Sequence, residues 1–296
     1  MWFYQSMTVL FTVLLLSATT FAQRWQNIIP NSGDVPDPRS NAAAIYDPVN
    51  HRMILFAGKA SSGDRNDVWA FDLNTSLWSD ITPTSGSAPA PRFTPNAVYD
   101  AVDHRMIIWS GQGAAFLNDV WAFDLASETW SEFTPPDPKP NIRYGTAAVF
   151  DPLARDLVTF AGFTSQGRFD DTWRFDVENV AWNNVTPAQG NPLERCLHSA
   201  SYDSLNHRMI MYGGQNAGPL ADIWAFDLTQ NSWTELTPSG SPPGRYFAAT
   251  IYDARNHRVI IFGGNRGNNG GVTKEVWAFD LTASTWEQLL PAGNLP

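Results

Sequence analysis

One phrase of twelve residues dominates the chain. It reads DVWAFDLNTSLW at 67–78, then DVWAFDLASETW (119–130), DTWRFDVENVAW (171–182), DIWAFDLTQNSW (222–233) and EVWAFDLTASTW (275–286). A sixth, partial echo, RWQNIIP at 24–30, matches the ends of the later copies, TWEQLLP and SWTELTP. The closing tryptophans Trp25, Trp78, Trp130, Trp182, Trp233 and Trp286 stand 53, 52, 52, 51 and 53 residues apart. Two further elements keep the same step. One is the apolar run RMILFAG (52–58), RMIIWSG (105–111), RMIMYGG (208–214) and RVIIFGG (258–264), with a looser third copy RDLVTFAG. The other is an Arg eight residues before an Asp, at Arg39/Asp47, Arg92/Asp100, Arg143/Asp151, Arg195/Asp203 and Arg245/Asp253. Self-similarity at this period belongs to propellers and solenoids.

Each unit divides into four short strands, taken in the first copy as a (40–46), b (52–58), c (67–73) and d (77–82). The apolar runs do not alternate strictly, as expected of sheets covered on both faces. The intervening segments carry turn chemistry: Asp-Pro and Asn in YDPVNHR, and in FDLNTSLW an Asp able to close an Asx turn. No room remains for helices. Trp69 and Phe71 on one face of strand c, with small Ala70 on the other, suit wedges that interdigitate bulky against small.

The period near fifty, the Gly213-Gly214 and Gly263-Gly264 pairs that end strand b, and the Trp that follows them resemble kelch repeats. The likeness covers about residues 24–290 and is closest to the bacterial exported type, in the superfamily of the galactose-oxidase central domain. It implies an all-β propeller of five complete four-stranded blades plus one extra N-terminal d-type strand, occupying residues 23–296. Ala57-Gly58, Ser110-Gly111 and Ala161-Gly162 depart from the glycine pair but keep its second member. The lone strand at Trp25 has two readings: the chain is a truncated copy of a six- or seven-bladed propeller, which is favoured, or five blades close and this strand joins an edge.

Residues 1–22, with the apolar run Met7–Leu16 and the tripeptide Thr20-Phe21-Ala22, read as a secretory signal peptide, with a membrane anchor that is never cleaved as the second reading. The expected location is therefore secreted or periplasmic, with no membrane span in the mature chain. A net charge of −10 argues against nucleic-acid binding, where a basic face supplies most of the affinity. The single Cys196 excludes an internal disulfide.

Function is expected on the face that carries the b–c and d–a loops, which vary between blades while the opposite turns are nearly constant. The cations Lys59, Lys139, Lys274, Arg65, Arg168 and Arg266 all fall there, beside the five strand-a arginines. The predicted pattern is a positive inner ring within a neutral-to-acidic surround. Candidate binding residues at the channel mouth are Arg39, Arg92, Phe93, Arg143, Tyr144, Arg195, His198, Arg245 and Tyr246. Guanidinium forks suit carboxylate, sulfate or phosphate groups, and aromatics beside them suit sugar faces or peptide side chains. Against this stands a structural role, in which each Arg pairs with a strand-c acid (Asp67, Asp119, Asp171, Asp222 or Glu275) and holds blades together.

No catalytic residue and no metal ligand is assigned. Cys196 and His198 are the only hint of the copper site of a galactose-oxidase propeller, and no second His reaches that side, so no cofactor is expected. The first reading of function is a non-catalytic interaction module for a glycan, small anion, peptide or protein partner. An enzyme such as a sugar mutarotase or isomerase, for which Glu194 and His198 are the available acid–base neighbours, comes second. A scaffolding element of a surface assembly comes third.

Overall fold

A computed structural model describes residues 24–28, 30 and 34–293. The expected signal peptide lies outside the described residues. Five antiparallel sheets follow one another along the chain, each in the order a–b–c–d. Blade one comprises Ala43–Asp47, Arg52–Ala60, Gly63–Asp72 and Leu77–Asp80. Blade two comprises Asn96–Asp100, Arg105–Trp109, Val120–Asp124 and Thr129–Phe133. Blade three comprises Ala147–Asp151, Asp156–Thr164, Gly167–Asp176 and Ala181–Asn184. Blades four and five run Ser199–Asp203, Arg208–Tyr212, Ile223–Asp227, Ser232–Leu236 and Ala249–Asp253, Arg258–Phe262, Val276–Asp280, Thr285–Leu289. The only helix among the described residues is a single 3-10 turn, Gly267–Asn269. The all-β propeller expected from the repeat is the fold observed.

The recurring phrase has a packing reason. The strand-d Trp stacks on the Phe of its own strand c and, with its other side, on strand b of the preceding blade. Trp130 lies 4.9 Å from Phe123 and 5.0 Å from Phe56. Trp182 lies 5.1 Å from Phe175 and 4.6 Å from Trp109. Trp233 bridges Phe226 and Phe160, and Trp286 bridges Phe279 and Tyr212, in the same manner. Burying each such ring contributes roughly 1.5–3 kcal/mol, so the seams between blades are the main apolar cores. Four cores fill the seams one–two, two–three, three–four and four–five. No core of this kind joins blade five to blade one among the described residues. Instead Trp25 covers blade five, its ring 5.0 Å from Phe262.

Strand b ends in one conformation in every blade. The first residue of the pair is left-handed whether it is Ala57, Ser110, Ala161, Gly213 or Gly263, with φ between 56° and 67°. The second is always Gly, with φ between 93° and 114°, a region closed to other residues. A side chain on Gly58 would also meet the Ser40 carbonyl and Ala42. That is why the first glycine varies and the second does not.

Beyond this bulge, blades one and three continue their b–c hairpins to Ala60/Gly63 and Thr164/Gly167. Blades two, four and five form isolated bridges there instead. The Asx turns expected after strand c are present: Asp72 Oδ1 accepts from the amides of Asn74 and Thr75, both at 2.8 Å, and Asp124, Asp176, Asp227 and Asp280 do the same.

On the constant face, the buried Asp that ends strand a is gripped by the next blade. His104 Nε2 meets Asp47 at 3.0 Å, and His207 meets Asp151 at 2.8 Å. Blade three carries Arg155 at the His position, and it reaches Asp100 at 3.1 Å. Its next residue is Asp156, where the other blades have an Arg. Arg174, standing where other strand-c copies have Ala, fills the deficit by bonding Asp156 at 2.7 Å and the buried Asp151. Two departures from the repeat thus cancel each other's charge.

Candidate functional site

The five strand-a arginines do not form an open anion-binding ring. Each guanidinium is clamped to the acid that opens strand c of its own blade. Arg92 holds Asp119 through two bonds of 2.7 Å, and Arg195 holds Asp222 at 2.8 and 2.7 Å. Arg143 holds Asp171 at 2.5 and 3.0 Å, Arg39 forks onto Asp67, and Arg245 reaches Glu275 at 2.7 Å. Two more donors of each arginine go to backbone carbonyls. Nη1 of Arg143 bonds the Ala161 carbonyl at 3.0 Å, and Nε bonds the Asn141 carbonyl at 3.0 Å. The same pair of carbonyl bonds recurs in the other four blades. The left-handed residue at the end of strand b turns its carbonyl inward to this Arg, which gives that bulge its purpose.

The acid completes a triad by accepting from the indole two residues on, as in Trp69 to Asp67 at 2.8 Å and Trp173 to Asp171 at 2.7 Å. Burial raises the carboxyls of Asp67, Asp119 and Asp222, but the bonds and charge of their arginines outweigh it and hold them below the usual carboxylate range. The arginine backbones lock the seams too: Arg143 N–H donates to the Leu117 carbonyl, and Gly111 N–H to that of Arg143. The expected unpaired arginines and positive inner ring are therefore absent. These residues read as structural because each is paired with a carboxylate and bonded to two backbone carbonyls.

The residue after each arginine is placed differently. Phe93, Tyr144, Cys196 and Tyr246 pair antiparallel with Gln112, Phe163, Gln215 and Asn265, which lie just beyond the bulge that follows the core of strand b. This brings loop aromatics against them. Phe116 stacks on Tyr144 at 5.5 Å and 15°, Phe163 meets Tyr144 edge-on at 5.8 Å, and Phe93 lies 6.2 Å from Tyr144. Tyr246 stands apart, against Phe247 at 5.7 Å.

Two cations flank the band: Lys59 Nζ sits 4.8 Å from the Phe93 ring centre, and Arg168 sits 5.6 Å from that of Phe163. Among the described residues neither has a carboxylate at ion-pair distance, whereas Arg65 pairs with Asp37 and Arg266 with Glu275. A cleft of about 430 Å³ opens beside Arg168, lined by Phe116, Ile142, Gln166 and Phe169. Burial pushes the Tyr144 hydroxyl and the Cys196 thiol up, Arg168 opposing both. Phe116, Phe163 and Phe169 were not singled out from the sequence. Their only signal is aromatics set among small or polar residues, one in QGAAFLN and two in FTSQGRFD.

His198 is buried, with 6% of its surface exposed. It precedes strand a of blade four and is wedged against the Phe160 ring at 5.6 Å, next to the central cavity of about 410 Å³. Neither of its ring nitrogens has a hydrogen-bond partner, and it makes no bond with the exposed Glu194. No group of three or more His, Cys, Asp or Glu able to hold a metal ion occurs among the described residues.

Five blades of a–b–c–d sheets, the Gly-ended strand b and the Arg–acid–Trp triad define a kelch-type propeller. The KLHDC2/KLHL20/DRC7 Kelch-repeats domain matches residues 8–202 and 186–296, and the chain belongs to the kelch-repeat family. It is 24% identical over 243 residues to Kelch domain-containing protein 1 of Mus musculus, covering 69% of this chain and 56% of that one. It is 29% identical over 224 residues to multiple epidermal growth factor-like domains protein 8 of Mus musculus (71% of this chain, 8% of that one). With Kelch domain-containing protein 3 of Bos taurus it shares 26% over 287 residues, 87% of this chain and 72% of that one. The chain thus spans little more than half of the first relative and a small part of the second. These three are animal proteins, and the narrower bacterial, galactose-oxidase-like type expected from the sequence is not shown by them.

Proposed function

We propose that this propeller is a non-catalytic protein-interaction module that binds an acidic, aromatic-bearing segment of a partner protein across its loop face. The observation that carries this reading is the aromatic band Phe93–Tyr144–Phe116–Phe163, bracketed by Lys59 and Arg168, cations with no carboxylate partner among the described residues. Aromatics supply contact area, and unpaired cations beside them select negative charge. Kelch propellers commonly serve as protein-interaction modules, which favours a peptide over the glycan or small anion that the sequence also allowed.

A phage-displayed library of random peptides, panned on the purified protein, is expected to enrich sequences with Asp or Glu beside an aromatic residue. Tyr144→Ala and Lys59→Glu should each abolish that enrichment while leaving the melting temperature nearly unchanged. Loss of a central aromatic anchor weakens binding by about 30-fold or more. Enrichment that survives both substitutions, or binding on a glycan array with none to peptides, would refute the reading.

The proposal includes export, supported by the Met7–Leu16 run. N-terminal sequencing of the protein recovered from outside the cytoplasm should then begin at Gln23. Retention in the cytoplasm with Met1 intact would remove that element.

A further inference from the structure

The b–c hairpin of blade three stands beside an open cleft. Past its bulge this hairpin adds the pairs Gly162–Phe169, Phe163–Arg168 and Thr164–Gly167, whereas blades two, four and five make isolated bridges there. Blade one has a hairpin of the same length, but Arg39 and Ser40 run along it and pair with Ala60 and Lys59. In blade three the second of these pairings is made, by Tyr144 and Phe163, as an isolated bridge. Asn141 and Ile142, just before it, line the cleft of about 430 Å³ together with Phe116 of blade two and the hairpin tip.

The walls suit a flat ring. Phe116 is stacked on Tyr144 at 5.5 Å and 15°, and Phe169 lies against the Arg143 guanidinium at 3.9 Å, contacts that fix both rings from within the protein. Ile142, 47% exposed, adds apolar surface open to solvent. The volume falls in the range of roughly 300–1,000 Å³ usual for ligand pockets. The rim is polar and set in place. Thr164 Oγ1 accepts the Gln166 amide at 3.2 Å, which fixes the turn, and Asn141, Ser165 and Gln166 are exposed. Arg168 adjoins the same cleft. Its Nε is buried without a hydrogen-bond partner, and its guanidinium lies 5.6 Å from the Phe163 ring centre. A buried donor of this kind is normally bonded, so an acceptor oxygen brought to it finds a seat.

We propose that this cleft is the anchor pocket of the loop face, and that its occupant is a tyrosine side chain of the partner's acidic segment, with a neighbouring Asp or Glu set against Arg168. This occupant presupposes the loop-face segment proposed above and specifies which of its residues enters the protein. A third ring extends the Tyr144–Phe116 stack and covers Phe169 and Ile142, while an aliphatic side chain fills the space without ring contacts. The phenol hydroxyl has hydrogen-bonding groups to meet at Asn141, Ser165 and Gln166, which a phenylalanine leaves unused. A carboxylate does not belong between the walls, because the faces of Phe116 and Phe169 carry the negative part of the ring quadrupole. The acid therefore lies outside, at the guanidinium.

The test titrates isotope-labelled protein with acetyl-Asp-Tyr-Asp-amide and follows the backbone amide resonances. The tripeptide is expected to shift the amides of Ile142 and of residues 164–169. Acetyl-Asp-Leu-Asp-amide should bind about tenfold more weakly, having lost two ring–ring contacts. Ile142→Asp, at an exposed position, should weaken the tyrosine peptide by at least about tenfold with the melting temperature nearly unchanged. Arg168→Gln should weaken it about fivefold while the shifts at 164–169 persist. Absence of shifts at 142 and 164–169, or equal affinity for the leucine peptide, would overturn the pocket. If phage-selected peptides then still bind and shift Phe93, Tyr144 and Phe163 alone, the loop-face reading stands without it. If they too shift nothing on the loop face, both fall.

Discussion

Between pH 6.5 and pH 5 the melting temperature is expected to fall by several degrees, and His198→Leu should remove most of that dependence. His198 is 6% exposed and packed on Phe160, with no hydrogen bond to either ring nitrogen. Burial disfavours its imidazolium, the nearby Arg195 charge adds to this, and Asp222 and the Phe160 backbone oppose it, leaving the pKa at about 3. In the unfolded chain the same ring titrates near 6.5. Its folded value is thus depressed: the contribution is complete above pH 6.5 and is lost as pH falls toward the folded value, because only the unfolded chain takes up the proton. The slope approaches about 1.4 kcal/mol per pH unit, or roughly 2 kcal/mol by pH 5. For a domain of this size that corresponds to about 4–8 °C.

Asp203 does not obscure this window. Burial raises Asp203, but its bonds to Asn206 and Arg208 bring it down to about 2, so its contribution is lost only as pH drops below the ordinary Asp value near 3.9. Melting curves of wild type and His198→Leu across pH 5–7.5 decide the matter. Parallel pH slopes for the two proteins would show that the ring is already protonated or hydrated in the native state.

The blade order, the strand assignments and the Asx turns were legible because they rest on local pattern repeated five times. The match of RWQNIIP to a strand d was legible for the same reason, and Trp25 on Phe262 agrees with it. The state of the arginines was not. Arg143 and Asp171 are 28 residues apart, and pattern alone shows an Arg and an acid in every repeat without showing whether they meet. Residues at the same place in every blade serve the geometry every blade shares. A site for one partner has to come from what differs.

Those differences sit in the b–c loops, which have no period to read, so Phe116 and Phe163 passed unnoticed while their neighbours Phe93 and Tyr144 stood out beside the arginines. Blade three carried a readable clue of another kind. RDLV in place of RMIL and DTWRFD in place of DVWAFD each break the repeat, and only their contact in space, Arg174 on Asp156 at 2.7 Å, shows that one compensates the other.

Arg143→Ala is expected to destabilise the protein by about 3–5 kcal/mol and to leave loop-face binding per folded molecule unchanged. The guanidinium is almost fully enclosed and is bonded to Asp171 and to the carbonyls of Ala161 and Asn141. Its removal leaves a carboxylate in a partly buried site with only the Trp173 indole to answer it, and breaking a buried pair from one side costs this much. Arg143→Lys should recover only part of the loss, since an ammonium cannot reproduce the fork. Arg143→Leu combined with Asp171→Leu should cost less than the sum of the two single changes, because neither charge is then left alone. Arg168→Ala provides the contrast: with no carboxylate partner it should shift stability by no more than about 0.5 kcal/mol, yet weaken binding of the phage-selected peptides. Urea titrations of these variants measure the first quantity, and peptide affinity corrected for the folded fraction measures the second. A loss below about 1 kcal/mol for Arg143→Ala, or a fall in its corrected affinity equal to that of Arg168→Ala, would return the arginine ring to the binding site.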